Sequence, residues 1–82
     1  MIRVRVHFYA RCRELAGCAE AAVEIPAGST LAELLAQLWD RFPPVAGMDK
    51  SLLLAVGLEY QGRDCVLKED DEVSLFPPVQ GG

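Results

Sequence analysis

The group most able to do chemistry in this 82-residue chain is the main-chain carboxylate of Gly82, carried at the end of Pro77-Pro78-Val79-Gln80-Gly81-Gly82. Two prolines supply no backbone N–H and favour an extended chain, and two glycines add no side chain to the last steps. At about 3.3 to 3.6 Å per residue the stretch reaches roughly 20 Å beyond the strand-like run Glu72-Val73-Ser74-Leu75-Phe76. A terminal Gly-Gly taken alone also fits a frayed end without a function. An anchoring strand on one side and a stiff exit make it resemble a probe, a slender carboxylate held away from the body.

No other residues form a constellation for autonomous catalysis. His7 is the one histidine, so no His-x-x-x-His ligand pair exists, and as the outward member of an alternating run it is expected to be merely exposed. Neither Lys50 nor Lys68 completes the Gly-x-x-x-x-Gly-Lys pattern of a phosphate loop, so ATP has no site here by that route. Glu69-Asp70-Asp71-Glu72 lacks the alternating spacing and the glycine of a calcium loop; it reads as a solvated turn, with docking onto a basic partner as the other use. Cys12, Cys18 and Cys65 are odd in number and hold no Cys-x-x-Cys pair, which fits neither a disulfide framework nor a zinc site. Reduced, semi-buried thiols are expected, the sharper alternative being a persulfide relay. No metal is expected.

Eight basic residues against twelve acidic ones give a net charge of −4, and the basic residues are scattered. An electrostatic footprint for nucleic acid is therefore missing, and partners with basic surfaces fit better. An apolar share of 51% with a mean hydropathy of +0.17 fits a folded globule. No apolar run approaches the ~18 residues of a membrane span, and the N-terminus lacks the pattern of a secretion signal. The expectation is a single cytoplasmic domain without a membrane partner, burying only about 60 to 65% of its unfolded surface.

The elements that must position the tail follow from periodicity. Ile2, Val4, Val6 and Phe8 alternate with Arg3, Arg5, His7 and Tyr9, the period-two pattern of a strand with one buried face. Residues 11–15 suit a short helical turn, Ala16-Gly17-Cys18-Ala19 a break, and Ala21, Val23 and Ile25 a second strand. Thr30 and Glu33 have the spacing of a capping box. Leu31, Leu34, Leu35, Leu38, Trp39 and Phe42 then form one apolar helical stripe, stopped by Pro43-Pro44. Residues 45–51 read as loop, and Leu52-Leu53-Leu54-Ala55-Val56 as a strand buried on both faces, with a turn at Gly57. Tyr60-Gln61 and Val66-Leu67 suit short extended pieces. In the last strand Val73 and Leu75 face the core, and Ser74 and Phe76 face away. The order predicts an α+β domain with one main helix packed on one sheet, spanning residues 1–76, followed by an extended tail over 77–82.

Two stretches carry a resemblance to a family. Leu75-Phe76-Pro77-Pro78-Val79-Gln80-Gly81-Gly82 after Asp71-Glu72-Val73, together with Phe8-Tyr9-Ala10 followed by Arg13-Glu14-Leu15-Ala16-Gly17, resembles the small, sulfur-carrying subunit of molybdopterin synthase. This is the MoaD type within the MoaD/ThiS group of ubiquitin-like proteins. The resemblance implies the ubiquitin-like β-grasp fold, a mixed sheet whose first and last strands lie side by side and parallel at its middle. It implies that Gly82 is the working residue and that the protein is a cosubstrate, with the active site on a large synthase subunit. A carboxylate is a poor electrophile; an adenylating enzyme related to ubiquitin activators would use ATP to convert it to an acyl-adenylate, and a sulfur donor would then leave a thiocarboxylate. No cofactor is expected to stay bound to this chain. Phe76, Pro77, Pro78, Val79, Gln80 and Gly81 are the implied partner-binding residues, with Arg13, Glu14 and Leu15 either a second contact or a structured turn. A carrier for another pathway, such as thiazole synthesis, and a ubiquitin-like protein modifier are the alternatives. Gly57, where many relatives have Asn, and Asp70, where a turn glycine is usual, depart from the pattern and leave the local turn types open.

Overall fold

Alternation produces the first strand, β1 (Ile2–Phe8), with Val4, Val6 and Phe8 buried on one face. The coordinates are a computed structural model that describes residues 1–78, so the expectations for Val79, Gln80, Gly81 and Gly82 fall outside the described residues. A short helix α1 (Arg11–Ala16) follows and ends at Gly17, whose φ of 78° lets its N–H reach back to the Arg13 carbonyl. Strand β2 (Glu20–Ile25) returns antiparallel to β1, with Val4 opposite Val23 and Val6 opposite Ala21.

Helix α2 (Leu31–Arg41) begins with the predicted capping box. The Thr30 hydroxyl accepts the Glu33 N–H at 3.3 Å while Glu33 Oε1 accepts the Thr30 N–H at 2.9 Å. Two further first-turn N–H groups, of Leu31 and Ala32, donate to the carbonyls of Cys65 and Arg63 at 2.8 and 2.9 Å. Leu31, Leu34, Leu35 and Leu38 are buried against the inner sheet face, and Trp39 and Phe42 cover that core from its edge. Pro43-Pro44 ends α2 as expected but does not begin a loop: Pro43–Ala46 form a one-turn helix, α3, because proline is accepted in a first helical turn where no intrahelical N–H is required. A single 3-10 turn follows at Asp49–Ser51.

Strand β3 (Leu53–Val56) is joined to the two-residue β4 (Glu59–Tyr60) by Gly57 and Leu58. Gly57 has φ 63°, the sign that a type II′ hairpin requires at its first central position. The expectation of a strand buried on both faces fails at Leu53, which is 40% exposed. Its cross-strand partner is Phe76, and both lie on the sheet face opposite the helix.

The last strand, β5 (Glu72–Phe76), inserts between β1 and β3, giving the order β2-β1-β5-β3-β4. It runs parallel to β1, with Val6 beside Val73 and Phe8 beside Leu75. This is the ubiquitin-like β-grasp arrangement, a five-stranded mixed sheet with one main helix across one face. The acidic run before β5 is an exposed turn of defined geometry, with Glu69, Asp70 and Glu72 open to solvent. Asp70 adopts φ 68°, the Asp71 N–H donates to the Lys68 carbonyl at 3.1 Å, and the Lys68 N–H donates to Asp71 Oδ2 at 2.8 Å. Asp70 thus supplies the positive φ of a type II turn, where glycine is favoured and aspartate is tolerated.

Candidate functional site

The site is the outer sheet face where β5 ends. Alternation sends Val73 and Leu75 into the core and leaves Phe76 on the other face, half-buried. Its ring lies flat on Tyr9, with centroids 4.8 Å apart and planes 10° from parallel, and meets Tyr60 edge-on at 6.4 Å. Offset-stacked and edge-to-face contacts are the two arrangements that aromatic quadrupoles favour. Leu53 and the fully exposed Leu58 extend the apolar surface. A shallow cavity of about 310 Å³ opens among Tyr9, Leu58, Tyr60 and Phe76. Contiguous exposed apolar surface of this kind on a small domain marks a place where another surface is covered.

The face changes character away from the tail. His7, expected to be merely exposed, is only 21% exposed and lies between two carboxylates, with Nε2 2.8 Å from Glu72 Oε1 and Nδ1 3.5 Å from Glu20 Oε2. Arg3 pairs with Glu24 at 3.5 Å further along. This sheet face therefore has an apolar half at the tail and a charged half beyond it.

Of the residues singled out from sequence, Phe76, Pro77 and Pro78 are described, and all three are half-buried at the base of the tail. Val79, Gln80, Gly81 and Gly82 lie outside the described residues. In the other motif, Leu15 packs against the core while Arg13 and Glu14 are exposed, Glu14 pairing with Arg11 at 3.2 Å. Both readings of that motif stay compatible with its geometry. Sequence reasoning missed Tyr9, Leu53, Leu58 and Tyr60 as members of the face. Tyr9 was visible as an outward residue of the alternating strand; the others become visible only once register sets Leu53 beside Phe76 and Tyr60 beside Ala55.

The three thiols are all free. Cys12 is fully buried, and desolvation raises its pKa above the ordinary 9.0, opposed by its own backbone hydrogen bond. Neutral and enclosed, it is a packing residue. Among the described residues no cluster of three or more His, Cys, Asp or Glu side chains is arranged to hold a metal ion.

The family model described as "ThiS family" matches residues 6–82. The chain belongs to the ThiS family. Among proteins with curated descriptions, a molybdopterin synthase sulfur carrier subunit from Arabidopsis thaliana is 31% identical over 81 residues, covering 99% of this chain and 84% of that one. Among solved structures, one from Pyrococcus furiosus, proposed as molybdopterin converting factor subunit 1, superposes with a TM-score of 0.87 at 31% identity, over 96% of this chain and 100% of that one. A complex of subunits 1 and 2 of molybdopterin-converting factor from Helicobacter pylori contains the same fold, with a TM-score of 0.74 at 23% identity over 99% of this chain and 100% of that one. Within the ThiS family the chain is thus similar to molybdopterin synthase sulfur carrier subunits across nearly its full length.

Proposed function

We propose that this ThiS-family chain is the sulfur carrier and small subunit of a molybdopterin synthase, working in the cytoplasm with sulfur held as a thiocarboxylate on Gly82. Residues 1–76 serve as the docking body and 77–82 as the tail that enters partner active sites. The observation that carries the reading is the aromatic face built around Phe76, which puts an apolar contact surface at the base of the Gly-Gly tail. That a relative of the same fold stands in a complex with a subunit 2 supports the large synthase subunit as the partner.

The chemistry needs no side chain of this protein. An adenylating partner joins the Gly82 carboxylate to the α-phosphate of ATP, and pyrophosphate leaves. A donor at the oxidation level of sulfide then attacks the acyl carbon; a C–S bond forms, the C–O bond to AMP breaks, and a thiocarboxylate remains. Docking on the large subunit holds that soft nucleophile beside its acceptor, converting a bimolecular encounter into an effectively unimolecular one. The thiocarboxylate sulfur attacks a side-chain carbon of cyclic pyranopterin monophosphate, where a C–S bond forms as a C–O bond breaks and leaves a thioester. Water then cleaves the thioester's acyl C–S bond, returning the Gly82 carboxylate, and a second loaded chain supplies the second dithiolene sulfur. Narrow entry channels explain Gly81 and Gly82, since a side chain would widen the cross-section.

The deciding experiment is the intact mass of the protein after incubation with ATP, sulfide and the adenylating enzyme. Exchange of one oxygen for sulfur at the C-terminus is expected. An unchanged mass with an adenylating enzyme active on its own carrier would overturn the proposal.

A further inference from the structure

β1 and β5 run parallel as neighbours, and nothing in a parallel ladder by itself tells two strands where to part. Here they part sharply. The last paired residues are Phe8 and Leu75, and one further bond, from the Tyr9 N–H to the Leu75 carbonyl at 3.3 Å, closes the ladder. At the next residue the β1 backbone turns away. Ala10 adopts φ 51° and ψ −124°, a conformation that suits glycine and is costly for a residue with a Cβ. The Cys12 N–H donates to the Tyr9 carbonyl at 3.0 Å, which makes residues 9–12 a tight turn with Ala10 at its first central position. Had Ala10 kept the extended angles of the strand, β1 would run on beside Pro77 and Pro78. On the other flank, Phe76 pairs with Leu53, the first residue of β3, and the following prolines have no N–H to extend that ladder. The sheet thus lets go of the chain on both sides at one register.

We propose that the Ala10 turn is a positioning device. It ends β1 at the step where β5 ends, clamps the Tyr9 ring flat on Phe76, and so sets the direction in which the chain leaves the sheet. This rests on the carrier reading above, and it assigns Ala10 an effect on the transfer step that persists when the large subunit is saturating. The strain is local and unrepaid by any core contact, since Ala10 is exposed. What it maintains is the Tyr9–Phe76 stack at the exit.

The test compares the full-length wild type with Ala10→Val and Ala10→Gly. Three quantities are read: nuclear Overhauser contacts between the Tyr9 and Phe76 rings, Kd for the large synthase subunit, and the single-turnover rate of sulfur transfer from pre-formed thiocarboxylate at saturating large subunit. A β-branched residue is a marked outlier at positive φ. Ala10→Val is therefore expected to lose the ring contacts, to bind the large subunit more weakly through the disturbed face, and to transfer about tenfold or more slowly even at saturation, since misplacement by ~1 Å is worth up to about a hundredfold. Ala10→Gly accepts the same angles and should keep the ring contacts and the rate. Should Ala10→Val fail to fold, Tyr9→Leu removes the stack without altering the turn and should show the same slow transfer at saturation. Ring contacts that survive in Ala10→Val, or a wild-type transfer rate without them, overturn the positioning role. A wild type that transfers no sulfur strikes instead at the carrier function, and the ring contacts still decide whether the turn sets the exit.

Discussion

Phe76 is held by two aromatic neighbours but not enclosed by the core, and this sets what its removal should do. Truncating a fully buried phenylalanine costs about 3 to 5 kcal/mol. Losing a half-buried ring should cost less than that, each aromatic contact being worth about 0.5 to 1.5 kcal/mol beyond the area it covers. Phe76→Ala is therefore expected to melt only modestly lower and to bind the large subunit much more weakly; melts beside a pull-down check it, and a large fall in melting temperature with unchanged binding per folded molecule would remove Phe76 from the interface. Cys12 offers a second test at this scale. Its raised pKa means that the folded protein holds the thiol proton more tightly than the unfolded chain does. The associated stability is complete below the ordinary thiol value of 9.0 and is lost as pH rises through the higher folded value. At pH 8, iodoacetamide should alkylate the half-buried Cys18 and Cys65 well before the buried Cys12, which reacts only once urea unfolds the protein; peptide mapping that finds equal labelling would contradict the burial.

Helix α2 shows how an element converts a local signal into stability. Its capping box, Thr30 with Glu33, satisfies two N–H groups that the helix cannot pair itself. Thr30→Ala should cost about 1 kcal/mol, which in a domain of this size lowers the melting temperature by about 4 to 8 °C. A smaller shift in calorimetry would mean that water replaces the cap at no loss. The same helix was legible from sequence because a long stripe at helical spacing and a cap agree, and β1 and β2 were legible because alternation over six or seven residues has no competing period. The leucine run in β3 has no period at all, so the outward position of Leu53 had to wait for its register against Phe76. The one-turn α3 was hidden for another reason: Pro43-Pro44 both stops one helix and opens the next, and reading it only as a stop loses the second role. For the site, Phe76 was legible from alternation within its own strand, whereas Tyr60 reaches it from a two-residue strand too short to show any pattern.

At the scale of the whole molecule, the core ends with β5 and the tail lies beyond it. Changes confined to Gly81 or Gly82 should therefore leave stability within about 0.5 kcal/mol of wild type. Deleting Gly82 would set the carboxylate back by about 3.5 Å, too far for the separation that the chemistry requires. Gly81→Val keeps the length but adds a β-branched side chain where only backbone should pass. Both variants are expected to melt like wild type, to bind the large subunit through the Phe76 face, and to yield no molybdopterin in a reconstituted assay. Product formation near the wild-type rate by either one would show that the terminal glycines are not the working end.

The parallel pairing of β1 and β5 also has a mechanical side. When two parallel strands are drawn apart along their axes, one by its amino end and the other by its carboxyl end, every rung between them is loaded at once in shear. A hairpin pulled at its open ends unzips instead, one rung at a time. A partner that grips the carboxyl end beyond Phe76 therefore tugs against the whole β1–β5 ladder, and against the antiparallel rungs to β3 on its other flank. A pull along β5 is thus met by the sheet in shear rather than by peeling.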